Sequence, residues 1–271
     1  MTDSTGRTAR ENEQRLWDDW ADRYDSSFLG AVDPAPTVAG LAELAGSGPV
    51  LELGVGTGRI AVPLAETGVH VDGLDFSEAM AAKLRSKAAG LPLSVLVGDM
   101  TELDAVDRYS LVIAVHSALT LLQTQEEQLR CVRNAARALL PGGRLAVSAQ
   151  HPQVFVRRLR GKELKIRDMS DDHLAVSATV VDPARQTVTF QDVRFGRDGL
   201  TFMPSHVRWI WPSELDLMAR MAGLERVYHG EDWTGGTVTP RSFEFVSVYR
   251  KPLPDETDRA GTAEGPVEQR A

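Results

Sequence analysis

One cysteine, Cys131, stands in the 271 residues, so an internal disulfide framework and a cysteine-built zinc site are both excluded. The six histidines are scattered and none falls at an H-x-x-x-H spacing, so no metal site is expected. Long apolar runs are missing too. Nothing approaches the length of a membrane-spanning helix, and no basic-then-apolar leader opens the chain, so the expectation is a cytoplasmic protein without a membrane partner. Basic charge is also short. The net charge is −8 at pH 7, from 30 Lys and Arg against 38 Asp and Glu. Nucleic-acid affinity rests mainly on phosphate neutralisation, so that class of partner is disfavoured. What remains is an ordinary globular composition, 42% hydrophobic and 25% charged, long enough for one large α/β domain with an elaboration.

The chain is organised around residues 50–60, VLELGVGTGRI. Residues 50–53 read as a short buried strand, and the apolar spacing from Arg59 onward suits a helix packed on a sheet. Strand, glycine turn and helix together open a nucleotide-binding α/β unit. Its glycines permit positive φ and clear side chains from where backbone must approach a ligand. The spacing is G-x-G-x-G, one residue shorter than the G-x-G-x-x-G of a dinucleotide site. Arg59 fills the place that such a site keeps small, which disfavours a nicotinamide oxidoreductase. Glu52, inside the strand, suits a cationic amine better than a pyrophosphate.

Residues 70–75 read as the second strand, with Ser77 capping a helix over 78–89. Asp75 ends that strand at about the ~20-residue distance where an acid accepts ribose hydroxyls. Asp72, on the opposite face, ranks behind it. Phe76 and Met80 are apolar where an adenine face would rest, or else core. The third strand, 93–97, runs into Gly98-Asp99-Met100. The fourth, 109–115, is followed by His116. A helix over 125–139 stops at Pro141-Gly142-Gly143, and the fifth strand takes 144–148.

These residues resemble the class I S-adenosylmethionine-dependent methyltransferases. The shared features are E/D-x-G-x-G-x-G at Glu52 to Gly58, the acids Asp75 and Asp99 after the second and third strands, and LLPGGRLAVS before the fifth. WPSELDLMARMAGL, 211–224, adds a likeness to actinobacterial small-molecule, natural-product enzymes, the amino-sugar N-methyltransferases among them. The resemblance implies a fold: a Rossmann-like α/β sheet with helices on both faces, plus an inserted antiparallel β-meander and an N-terminal helical lid. It implies S-adenosyl-L-methionine as cofactor, contacted by Glu52, Gly54, Gly56, Thr57, Gly58, Asp75, Phe76, Met80, Asp99, Met100 and Val115. The expected division is 1–48 as lid, 49–150 with 211–250 as cofactor domain, 151–210 as a substrate or oligomerisation element, and 251–271 as a disordered tail. Within the insert, strands are expected over 174–181, 186–195 and 200–210. The same reading makes this element a candidate homodimer interface.

Methyl transfer from a sulfonium asks the protein for proximity, alignment and a dry pocket. An oxygen or carbon acceptor also needs a base, whereas an amine need only arrive neutral. His116, after the fourth strand, is the first candidate, with an ordinary histidine titration. His151 is the second, and Tyr24 of the N-terminal helix a further catalytic candidate. Trp17, Trp20, Trp209, Trp211 and Trp233 are candidate substrate walls, although core packing competes for each. The basic run Arg157, Arg158, Arg160, Lys162, Lys165 and Arg167 is a solvated strand face or a phosphate site. No N/D-P-P-Y follows the fourth strand, so a base-amine target is not expected. The reading is methylation of a small molecule at O, N or C. A cyclase-like protein that binds the cofactor without transferring methyl is the alternative.

Overall fold

A computed structural model describes residues 9–25, 33–157, 162–197 and 199–256. The start of the expected lid (1–8), Arg158 and Arg160 of the basic run and the expected tail beyond 256 lie outside the described residues. Strands β1 (Val50–Leu53), β2 (Val71–Asp75), β3 (Leu93–Val97), β4 (Tyr109–Ala114) and β5 (Leu139–Gln150) run parallel. Strands β10 (Glu225–Gly230) and β11 (Glu244–Arg250) complete the sheet in the order β10-β11-β5-β4-β1-β2-β3. Strand β11 alone runs against the direction of the other six. The chain steps outward from β1 to β3 and then crosses back to β4, leaving a switch-point crevice beyond the carboxyl ends of β1 and β4.

Both faces of this sheet are covered, as parallel strands require. On β4, Leu111 and Ile113 pack into one apolar layer, while Val112 and Ala114 pack into the other. The first layer is shared with α2 (Ala35–Ala45), α3 (Ala61–Glu66) and α4 (Glu78–Lys87), through Leu41, Leu64 and Leu84. The second takes Val132 and Leu215 from α5 (Gln125–Ala138) and α7 (Pro212–Met221). Thr124 and Glu127 form a capping box that fixes where α5 begins. The N-terminal helix α1 (Ala9–Tyr24) packs across α4 instead of the core.

After the short α6 (Gln153–Val156) comes a second, antiparallel sheet: β6 (Lys162–Met169), β7 (His173–Asp182), β8 (Thr187–Gly196) and β9 (Gly199–Arg208). It has four strands where the sequence predicts three. The extra strand, KELKIRDM, carries only two large aliphatic residues before its methionine, so its pattern reads as a charge run. Its pairing with β7, with a bulge between Ile166 and Asp168, makes it a strand. Phe155, Val181, Val188 and Trp209 form the small core that fastens this sheet to the domain.

Two boundaries also differ. Strand β5 begins at Leu139, before the Pro-Gly-Gly, and is irregular between its pairings with Tyr109 and Leu111. Any side chain at Gly143 would strike the Leu140 carbonyl at 2.8 Å. Residues 251–256 are not disordered. Gly142 N–H donates to the Lys251 carbonyl, Lys251 N–H to that of Gly143, and Lys251 Nζ reaches Asp107 at 2.8 Å.

Candidate active site

A cavity of about 420 Å³ opens at the carboxyl ends of β1, β2 and β4, roofed by α1 and walled by the second sheet. Of the residues singled out from sequence, it gathers Glu52, Gly54, Gly56, Asp75, Phe76, Met80, Asp99, Met100, Val115, His116, Tyr24, Trp17 and Trp20.

At one end is the glycine turn, with Gly54, Gly56 and Gly58 at φ of +70°, +55° and +87°. The space where a side chain of Gly56 would stand is open. Gly56 N–H donates to Asp75 Oδ2 at 2.7 Å and Ser77 N–H to Oδ1 at 2.9 Å, which fixes the carboxylate at the rim. Glu52 is buried at the base of the turn, and its Oε2 has no hydrogen-bond partner. Burial pushes its carboxyl up to about 8, against the attraction of Arg59 and with help from the charge of Asp75. Ala61 N–H reaches this carboxyl, which leaves Oε2 as a buried acceptor without a partner beside open space, suited to a cationic amine. The residues therefore fit a ligand of that kind.

Asp99 accepts from Thr101 N–H and Oγ1, both at 2.8 Å, and from the guanidinium of Arg10 on α1. Burial acts upward on its carboxyl, but the bonds from Arg10 and Thr101 outweigh it and hold it below the usual range. Arg10 also lies 5.6 Å from the centre of the Phe76 ring. Next to it, burial lifts Glu13 to about 7, and Gln123 donates to it at 3.1 Å.

The other end lies under Trp17, Trp20 and Tyr24, which follow one another along α1 in tilted and edge-to-face contact, 5.4 and 5.8 Å between ring centres. Tyr24 shares a side-chain hydrogen bond with Arg59. His116 and Ser117 both adopt left-handed backbone, φ +51° and +69°. Two such residues in succession are strained, a feature found where function holds a chain against its preference. His116 N–H donates to Ser148 Oγ at 2.9 Å, while its buried Nε2 has no partner. Burial, aided by the charge of Arg59, drives its pKa down to about 4. The ordinary histidine titration expected from sequence is therefore corrected.

Six predicted residues do not line the cavity. Thr57 turns its hydroxyl to Asp25 at 2.6 Å, and Gly58 packs against Leu84, whose Cδ1 a side chain there would meet at 2.3 Å. His151 is buried edge-on between Trp211 and Phe245, and its Nδ1 accepts from Gln153 N–H. Trp209 is core, stacked on Phe155; Trp211 borders the same cluster, and Trp233 packs on Gly40. Thr57 is drawn away by a hydrogen bond, and the others by packing against apolar neighbours.

Conversely, Arg10, Glu13, Asp192, Glu244 and the hub Arg59 line it without having been predicted to do so. Burial raises Glu244, with Arg59 opposing. For Arg59 the signal was its place directly after the glycine turn. For the others no local signal exists, since chain segments distant in sequence deliver them. Lys165 and Arg167 of the basic run also reach the wall. Among the described residues no cluster is arranged to hold a metal, and no helix is long and apolar enough to cross a membrane.

Comparison with known proteins agrees with this geometry. A family described as "Methyltransferase domain" matches residues 50–143. The structure of the CcbJ methyltransferase from Streptomyces caelestis is 37% identical, with a TM-score of 0.81 over 88% of this chain and 98% of that one. The cypemycin N-terminal methyltransferase of a Streptomyces species is 29% identical over 74% of this chain and 82% of the relative. The S-adenosylmethionine-bound CalS10, an amino pentose methyltransferase from Micromonospora echinaspora, shares the fold at 20% identity, with a TM-score of 0.60 over 93% of this chain and the whole of that one. With the strand order, the glycine turn above a buried acid and these likenesses together, the chain belongs to the S-adenosylmethionine-dependent methyltransferases.

Proposed function

We propose that this enzyme methylates an amine nitrogen of a small, polar, natural-product-like molecule. The observation that carries the reading is His116: a buried, unpartnered Nε2 on a ring held neutral at physiological pH. A group with a pKa of about 4 is a poor base for a hydroxyl or carbon acid. It can still accept a hydrogen bond from an N–H that arrives unprotonated, and so turn the nitrogen lone pair towards the methyl group.

Glu52, Arg59, Asp75 and Asp99 would hold the cofactor, with Gly54 and Gly56 giving its approach and Phe76, Met80, Met100 and Val115 its apolar walls. Bound there, S-adenosylmethionine supplies a methyl group already activated on sulfonium. The chain's contribution is then placement and exclusion of water. Trp17, Trp20 and Tyr24 cover the cavity, and Tyr24 steadies Arg59. In this reading α1 is the lid and the second sheet the acceptor wall. The names of relatives support a nitrogen acceptor, since one is called an N-terminal methyltransferase and another an amino pentose methyltransferase. No observation favours a role without methyl transfer.

The test is turnover with S-adenosylmethionine and matched panels of amines and alcohols, read by mass spectrometry for S-adenosylhomocysteine and for the methylated atom. Nitrogen methylation is expected, and His116→Asn should mainly raise the acceptor KM. The pH profile should show no limb near the ordinary histidine value of ~6.5 that vanishes in that variant. Oxygen methylation with such a limb would overturn the reading.

A further inference from the structure

The acceptor side of the cavity is the inner face of the second sheet, where strand register sets side chains in rows. Lys165, Ser177, Asp192 and Met203 stand opposite one another across β6 to β9. Phe190 and Ser205 belong to the next row. Asp192 Oδ1 is fully buried and meets no donor. Among the described residues no ion pair or side-chain hydrogen bond reaches this carboxylate, and Lys165, the base in its row, is engaged by Glu163 at 3.2 Å. The residue as a whole is half-buried, but an unpaired buried oxygen is costly, and buried polar atoms are paired in the great majority of cases. The wall around it mixes the apolar Phe190, Met203 and Val207 with the hydroxyls of Ser177, Thr179 and Ser205, and Arg167 lines the same cavity.

We propose that Asp192 selects the acceptor, binding a cationic ammonium group carried on an apolar body. A recess of this make-up is complementary to that chemistry, with the charge fixing orientation and the apolar side chains supplying contact area. The cation held there is not the nitrogen that is methylated, because a protonated nitrogen has no lone pair to give. Asp192 therefore acts on specificity, reading a second polar group of the acceptor. The inference rests on the methyltransfer reading only in placing the acceptor in this same cavity.

Three probes that share one ring and differ in charge test it: cyclohexylamine, cyclohexanol and cyclohexanecarboxylate. Each is titrated into the full chain, with and without S-adenosylhomocysteine, for the wild type, Asp192→Asn and Asp192→Glu. The amine should bind the wild type roughly ten-fold or more tightly than the alcohol, and the carboxylate most weakly. Asp192→Asn should erase that preference, while Asp192→Glu keeps part of it. Equal binding of all three probes, binding of none, or a preference that survives Asp192→Asn overturns the proposal. S-adenosylhomocysteine affinity, measured in the same samples, reports folding of each variant. Failure of that ligand to bind the wild type would sink the methyltransfer reading instead, and the amine preference would still be decided by the titrations without it.

Discussion

Glu52 couples protons to both folding and ligand binding. With its carboxyl raised to about 8, the folded chain keeps a proton that the unfolded chain loses above the ordinary glutamate value of ~4.3. Its contribution to stability therefore declines as pH rises between those two values and is level above the upper one. Glu52→Gln should raise Tm at pH 8 by more than at pH 5. A cation beside Glu52 favours its ionised form, so cofactor binding at pH 7 should release close to one proton. Calorimetry in two buffers of different ionisation heat measures this, and equal enthalpies in both would rule it out. Asp75 and Asp72 divide along the faces of β2. Asp72 points away from the cavity, accepting from Tyr109 Oη at 2.9 Å and Arg108 at 2.8 Å. Asp75→Ala should weaken cofactor binding by about 1.5–3 kcal/mol, the range for a charged hydrogen bond. Asp72→Ala should lower Tm and leave that affinity alone. An exchange of the two effects would refute the assignment.

Elements whose signal is local are the ones the sequence makes legible. Glu52, Asp75 and Asp99 each sit at or beside the end of a parallel strand, flanked by a glycine turn or a cap, so a dozen residues suffice to find them. Arg10, Asp192 and Glu244 reach the same cavity from a roofing helix, an inserted sheet and a C-terminal strand. No spacing rule connects them. Trp209, Trp211 and Trp233 lie outside the cavity for a different reason: a large ring is as well suited to core as to a ligand wall, and only packing decides. Trp209 shows what packing chose. It is 2% exposed, stacked on Phe155 at 5.7 Å between ring centres, and its cluster is what fastens the second sheet. Trp209→Ala should cost about 3–5 kcal/mol. Because the sheet carries the acceptor wall, loss of acceptor binding should accompany the loss of stability, with cofactor affinity less affected. Denaturant titration alongside ligand calorimetry separates the two, and an unchanged midpoint would show that the cluster fastens nothing.

On the scale of the whole molecule, the contrast is between a core that is almost wholly apolar and a roof that is not. Helix α1 is held down by polar contacts: Arg10 to Asp99, Gln14 to the Phe76 carbonyl at 2.9 Å, Asp18 to Ser77 at 2.6 Å, Asp22 to Lys83 at 2.8 Å, and Asp25 to Lys87 at 2.6 Å. The pairs of Asp22 and Asp25 lie at the surface, where each contributes little and added salt screens it. Dissolved ions therefore act on the roof while barely touching the two apolar layers below. Raising the KCl concentration should speed S-adenosylhomocysteine release in stopped-flow experiments while Tm stays nearly constant. A release rate indifferent to salt would mean that the aromatic stripe, not the charges, keeps the roof shut. On that expectation the residence time of the spent cofactor, and with it the turnover ceiling wherever release is slowest, shifts with the surrounding electrolyte.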